Sequence, residues 1–330
     1  MADPKPFRPK QFPPPEFPPR RPALFARMPP AVFPAIMGLL GLGLGLRRGM
    51  EYLGLPPGPA EMLLGATLAL WAFAAFGYAV KLARRPGVLV EDMRILPGRA
   101  GLSAAVLGAL LSAAALVPYS APAAWALLGV GLVLQAGLAG LVLRLFFTTP
   151  AEAREITPVW HLHFVGFIIG ALSAVPLGAD LLGRVILFAT LPVAGAIWLA
   201  SALQLIRRIP PAPLRPLLAI HLAPASLLAT VAASLGLPQL GLGLLVLAAA
   251  LFLGLLACLR WLTQSGFSAL WGAFTFPLAA FTSALYANGF GATGTILLVA
   301  CLAIVPAIAW KVCTAWAKGS LAAKTNAAEA

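Results

Sequence analysis

The feature that most limits what this chain can become is a near-continuous succession of apolar runs, each about 20 residues long. The run "GLGLLVLAAALFLGLLACL" (241–259) is typical. As a helix, such a run matches the roughly 30 Å hydrocarbon core of a bilayer. Without water, each run must satisfy its own backbone hydrogen bonds, which a helix does. A membrane barrel would need shorter segments of alternating polarity, and the sequence lacks that pattern. Composition agrees: 61% of residues are hydrophobic and 10% charged, against about 25% charged in soluble domains. The fold class is therefore an all-α membrane protein. Ten spans are read, at 30–46, 59–82, 99–117, 121–146, 158–176, 181–205, 214–235, 238–262, 267–288 and 291–316.

The basic residues set the orientation. Suppose the N-terminus, the even-numbered loops and the C-terminus share one side. Of the 23 Lys and Arg residues, only Arg47, Arg48 and Arg184 then fall on the other. The positive-inside rule makes the crowded side cytoplasmic, so both termini are expected there. The net charge of +13 thus follows from topology, and no nucleic-acid partner is expected. Very short turns at 118–120, 177–180, 236–237 and 289–290 alternate with longer loops, which predicts five helical hairpins. Residues 1–29, including "PKPFRPKQFPPPEFPPRRP", read as a proline-rich, basic, disordered cytoplasmic tail. Residues 30–318 form the transmembrane domain, and 319–330 a short cytoplasmic C-terminal tail.

Polar groups are distributed unevenly. His161, His163 and His221 all lie in odd-numbered spans, as do Ser103, Ser112, Ser173, Ser226, Thr230, Thr275, Thr282 and Ser283. Spans four and eight are nearly pure Leu, Ala, Val and Gly. Polar groups in a bilayer face protein or water, so the odd helices are expected inside and the even ones outside. The expected arrangement is quasi-five-fold, with an inner ring of odd helices around a central pore. Single hydroxyls also serve as glue between helices; it is their segregation that favours a ring.

Span nine, "SALWGAFTFPLAAFTSALYANG" (268–289), combines hydroxyls with a mid-segment proline. Pro34 and Pro224 are read as similar interruptions of odd helices, while Pro192 and Pro306 interrupt even ones. No acidic residue and no deep Lys or Arg falls within an odd span as read. That disfavours cation pumps and proton antiporters and suits conduction, where binding must be weak enough for release. The N-termini of the five odd helices would converge on the cytoplasmic side. Arg99 and Arg215 stand at two of these starts, as an anion-gathering vestibule or, equally, as plain topology signals.

Other chemistry finds little footing. His161 and His163 are two residues apart, on different helix faces, and cannot share a metal. Cys258, Cys301 and Cys313 lack metal-ligand spacing. No nucleophile triad, paired carboxylates or phosphate loop occurs, so neither enzyme activity, a metal nor a cofactor is expected. The glycines of "GLLGLGLGL" are read as close-packing positions.

Four short motifs, in order, resemble the tellurite-resistance/dicarboxylate transporter family, which includes the plant slow-type anion channels. They are "FPAIMGL" (Phe33 to Leu39), "TPVWHLHFVGFIIGAL" (157–172), "LAPAS" with Ala223-Pro224, and "LWGAFTFP" with Trp271, Thr275, Phe276 and Pro277. The resemblance covers roughly residues 28–318. It implies a homotrimer in which each protomer has its own pore, closed by a phenylalanine at the position of Phe276. It also implies a lipid-embedded protein of the bacterial inner membrane that passes small inorganic anions or dicarboxylates. On this reading Phe276 is the gate and Pro277 bends the helix beneath it. Phe33, Gly38, His161, Gly166, Gly170, Pro224, Thr275 and Pro277 line the pore, and Arg99 and Arg215 gather anions. Two rival readings are a coupled exporter of C4-dicarboxylate, tellurite or sulfite, and a non-transporting scaffold or sensor. The first would give saturable, pH-dependent flux. The second would depend on the proline-rich tail.

Overall fold

The computed structural model describes residues 23–150 and 154–330, and among these every regular element is helical. The helices are α1 (Phe33–Tyr52), α2 (Gly58–Arg84), α3 (Val88–Arg94), α4 (Leu96–Leu116), α5 (Ala121–Thr148), α6 (Ile168–Ala174) and α7 (Asp180–Arg207). They continue with α8 (Leu222–Ser234), α9 (Pro238–Ala257), α10 (Leu259–Leu262), α11 (Gly272–Ala287), α12 (Gly291–Ala317) and α13 (Ser320–Lys324). Three-residue 3-10 turns, Pro30–Val32 and Ala269–Trp271, lead into α1 and α11, and a longer one, Ala212–His221, leads into α8. Pro213 and Pro216 lie within that longer segment.

Nine helical segments among the described residues are long and apolar enough to cross a membrane. The fifth apolar run differs from the expected uniform span. It is a shorter segment, His161–Ala174, in which a π-helical turn at His161–Val165 gives way to α6. At about 1.5 Å per residue it is shorter than the hydrocarbon core. The wider turn leaves carbonyls to be satisfied from elsewhere. Gln135 of α5 supplies the donors, its Nε2 reaching the Leu162 and His163 carbonyls at 2.7 Å each. Gly166 follows the turn because a Cβ there would lie 2.6 Å from Leu107 Cδ2. Replacing the buried Gln135 with leucine should cost about 1–3 kcal/mol, the penalty for stranding buried polar groups. A lower thermal unfolding midpoint in detergent would register that cost.

Burial divides the segments. The membrane-length windows of α1, α4, α8 and α11 are 61–78% buried, those of α2, α5, α7, α9 and α12 only 22–33%. The outer group turns large apolar side chains outward, among them Phe76, Val133, Leu199, Val246 and Ile296. Such a surface is stable against lipid tails, not water. Among the buried segments, α1 packs on α4 and α11, α4 on α6, α6 on α8, and α8 on α11. The contacts therefore close a circuit.

Pro34 and Pro224 lie in the first turns of α1 and α8, directly after the 3-10 turns that lead into them, so each stands at a junction between two helical windings. Pro277, Pro192 and Pro306 do lie inside helices.

The described residues at either end of the chain, 23–29 and 319–330, pack against the helices. Residues 1–22 of the expected tail lie outside the described residues. Ala26 and Met28 are buried, and Arg84 donates to the Leu24 carbonyl. Lys81, in the last turn of α2, is fully buried and pairs with Asp92 of α3 at 2.8 Å. Its Nζ also donates to the Met28 carbonyl at 3.0 Å, and the Tyr78 hydroxyl donates to Asp92 at 3.0 Å. The Ala328 amide donates to the other Asp92 oxygen at 2.8 Å, and the Ala330 amide to the Ala26 carbonyl at 3.0 Å. One buried ion pair thus ties α2 and α3 to both terminal segments.

Candidate functional site: cavities on either side of Phe276

The circuit of buried segments encloses a cavity of about 580 Å³. Its walls come from the C-terminal parts of all five: Gly41 to Tyr52 of α1, Leu111 and Ala114 of α4, Leu172 of α6, Leu227 and Thr230 of α8, and Ala280 to Ala287 of α11. Two smaller cavities, about 40 and 20 Å³, are lined by N-terminal parts of the segments. The first has Pro34, Pro97 and Ala273 in its wall. The five segments therefore run in the same direction. Phe276 lines all three cavities.

Phe276 is only 5% exposed, and its seat depends on a missing side chain. A Cβ on Gly41 would stand 2.8 Å from Phe276 Cδ2 and 3.1 Å from Cε2. One turn earlier, a Cβ on Gly38 would collide with the Thr275 side chain. The α1 glycines thus let α11 come close enough to bring the ring between the cavities. Pro277, next in the chain, has no amide hydrogen to bond the Ala273 carbonyl, which loosens the helix beside the ring.

The large cavity is charged at its wide end. Helix α1 extends through Tyr52, so Arg47 and Arg48 lie on the helix and not in a loop. The expected span ended at 46; the helix runs further and carries both basic side chains in its last two turns. Arg47 grips Glu61 with a two-pronged contact, Nε to Oε1 at 2.6 Å and Nη2 to Oε2 at 2.7 Å, and donates to the Ala115 carbonyl at 3.0 Å. Arg48 is half-buried. Its Nη1 makes a long contact of 3.4 Å to the Ser283 carbonyl, and among the described residues it has no carboxylate at ion-pair distance. Glu51 lines the same cavity near the mouth.

The other expected site residues divide into two sets. His161, Gly166 and Pro224 line the 20 Å³ cavity with Phe276, and Pro277 lines the 40 Å³ cavity. Phe33, Gly38, Gly170 and Thr275 are not in the walls of these three cavities. Phe33 is buried in the core, and Gly170 faces Leu128 and Leu132 of α5. Thr275 Oγ1 donates to the Gly272 and Pro34 carbonyls, at 2.7 and 3.2 Å. His161 Nε2 and His221 Nδ1 share a hydrogen bond of 3.0 Å between neighbouring segments, while His163 Nδ1 bonds Ser103 Oγ at 2.6 Å.

Arg99 and Arg215 are not brought together. Arg99 donates to the Met93 carbonyl at 2.9 Å and lines a separate side pocket with Arg94 and Arg154. The Arg215 guanidinium stacks 4.4 Å from the Trp261 ring centre and donates to Gln264 Oε1 at 2.5 Å.

Sequence reasoning missed Gly41, Arg48 and Gln135. Gly41 was visible only as one of several glycines in a run. Arg48 was hidden by its charge, which ends an apolar run on paper, and Gln135 is a lone amide in an otherwise apolar span.

No curated protein matches the chain. The sequence model of the family described as "voltage-dependent anion channel" does match, over residues 27–317, a stretch that holds every apolar segment and all three cavities. The chain belongs to this family of membrane anion channels and transporters, which joins the tellurite-resistance/dicarboxylate transporters to the slow-type anion channels.

Proposed function

We propose that this protein is an anion channel whose pore runs through the circuit of five buried segments and is closed by the Phe276 side chain. The observation that carries the reading is that this one ring lines the wide cavity and both narrow ones. Anything moving along the axis between them must pass it. The ten apolar segments then form five hairpins in a quasi-five-fold arrangement, the more exposed member of each pair facing outward. The differing burial of the two groups supports this assignment.

The walls of the two narrow cavities carry no Lys, Arg, Asp or Glu. A permeating anion meets no deep well there, which suits rapid release. Arg99 and Arg215, each engaged by its own neighbours, are assigned to anchoring the starts of α4 and the α8 segment on the cytoplasmic side. The exposed apolar faces of the outer helices serve lipid and, in a homotrimer, neighbouring copies.

The test is current through purified protein in planar bilayers under chloride, nitrate and malate gradients. The expected result is an anion-selective current that does not saturate and does not need a proton gradient. Saturable flux coupled to pH would make the protein an exchanger or coupled exporter. Absence of any anion flux would refute transport through this path.

A further inference from the structure

The wide end of the 580 Å³ cavity poses an electrostatic problem for an anion pathway. The C-terminal ends of the five inner segments line it, and helix C-termini carry partial negative charge. Glu51 adds a full negative charge at the mouth. Arg47 offsets little of this, because Glu61 already holds its guanidinium in a bidentate pair. Only Arg48, among the cations in this wall, keeps a guanidinium without a carboxylate partner among the described residues. It stands seven residues, about 10 Å along the helix axis, beyond the Gly41 seat of the Phe276 ring.

We propose that Arg48 is an anion-binding site in the large cavity, and that its preferred ligand is a monovalent planar oxyanion such as nitrate or a small monocarboxylate. The planar guanidinium presents parallel N–H donors that match two oxygens of such an anion. Its one protein contact here is the 3.4 Å approach to the Ser283 carbonyl, a length at which a hydrogen bond is weak. Its donors are therefore available. Glu51, one helical turn nearer the mouth, repels a second negative charge, so a dicarboxylate binds less well than a monoanion. The site lies on the opposite side of Phe276 from Arg99 and Arg215, and attraction of anions is assigned to that side. The inference rests on the channel reading only for the claim that the bound anion is in transit.

Binding can be measured without conduction. Full-length protein in detergent is titrated with nitrate, and separately with malate, at ionic strength held constant with sulfate, and the thermal unfolding midpoint is followed. Wild type should be stabilised by nitrate more than by malate. Arg48→Gln should lower the nitrate affinity about tenfold or more, since a charge-assisted pair is lost. Arg48→Lys should keep part of it, and Glu51→Gln should strengthen malate binding. Equal nitrate affinity in wild type and Arg48→Gln, or no nitrate effect in wild type, overturns the site. If Arg48→Gln does not fold, unchanged nitrate affinity in Arg48→Lys overturns it instead. Nitrate binding through Arg48 in a protein that passes no current removes the channel reading and leaves the site. Anion current with binding indifferent to residue 48 does the reverse.

Discussion

Phe276→Ala is expected to raise anion current per channel, or the fraction of time the channel conducts, by about ten- to one-hundred-fold. The size follows from what the ring must do to let an ion pass. To open, it must leave its seat against Gly41 and turn toward the large cavity, exposing apolar surface that is now covered. Covering a phenylalanine side chain is worth about 1.5–3 kcal/mol, and each 1.36 kcal/mol is a factor of ten. The alanine variant has no ring to move. Gly41→Ala should act in the same direction from the other helix, because its methyl group would lie 2.8 Å from Phe276 Cδ2 and push the ring off its seat. Phe276→Leu, which keeps most of the bulk, should change the current least. Currents at wild-type level in both Phe276→Ala and Gly41→Ala, with normal amounts of folded protein, would end the gate assignment.

The division of labour among the helices was largely legible in the sequence, because it rests on composition. Segments that hold Ser, Thr and His must hide them, and segments of bare Leu, Ala and Val need not. The burial of α1, α4, α8 and α11 against the exposure of α2, α5, α7, α9 and α12 follows that rule. What could not be read was anything that depends on a partner distant in sequence. The break at His161–Val165 looks like ordinary helix by composition, and it is sustained by Gln135 on another helix. The extension of α1 through Arg47 is stabilised by Glu61, supplied by the next helix. The sequence places Arg48 at the end of an apolar run, and only the packing of α11 sets it in a cavity wall. Phe276 is a middle case. Nothing in its own chemistry separates it from Phe274 or Phe281, and the family resemblance alone singled it out. The geometry adds its contact with three cavities and with Gly41.

Lys81→Met is expected to be among the most destabilising single changes in the described chain, at about 3–5 kcal/mol, because it strands a charge. Asp92 is fully buried. Without Lys81 it would keep the Tyr78 hydroxyl and the Ala328 amide as donors but no counter-charge. Asp92→Leu is worse placed still, since it strands the Lys81 ammonium with only the Met28 carbonyl. The double variant Lys81→Met/Asp92→Leu should recover much of the loss, because removing both charges also removes the cost of burying them. It should not recover all of it. The Met28 carbonyl and Ala328 amide would lose their partners, and the terminal segments would keep the Ala330–Ala26 bond, the Arg27–Glu329 ion pair and the Arg84 contact to the Leu24 carbonyl. Unfolding midpoints of the four proteins in detergent form a double-mutant cycle, and because the double variant should be more stable than either single one, the coupling should exceed the cost of one single change, about 3–5 kcal/mol. Additive single effects would mean that the pair contributes no mutual stabilisation. A double variant as unstable as either single variant would show that the two residues act as one unit and that removing the stranded charge recovers nothing. Because the pair joins α2 and α3 to both terminal segments, its loss should first expose residues 23–29 and 326–330 to proteolysis while the helical core stays intact. The order of those two events, cleavage before unfolding, distinguishes a local tie from a support of the whole fold.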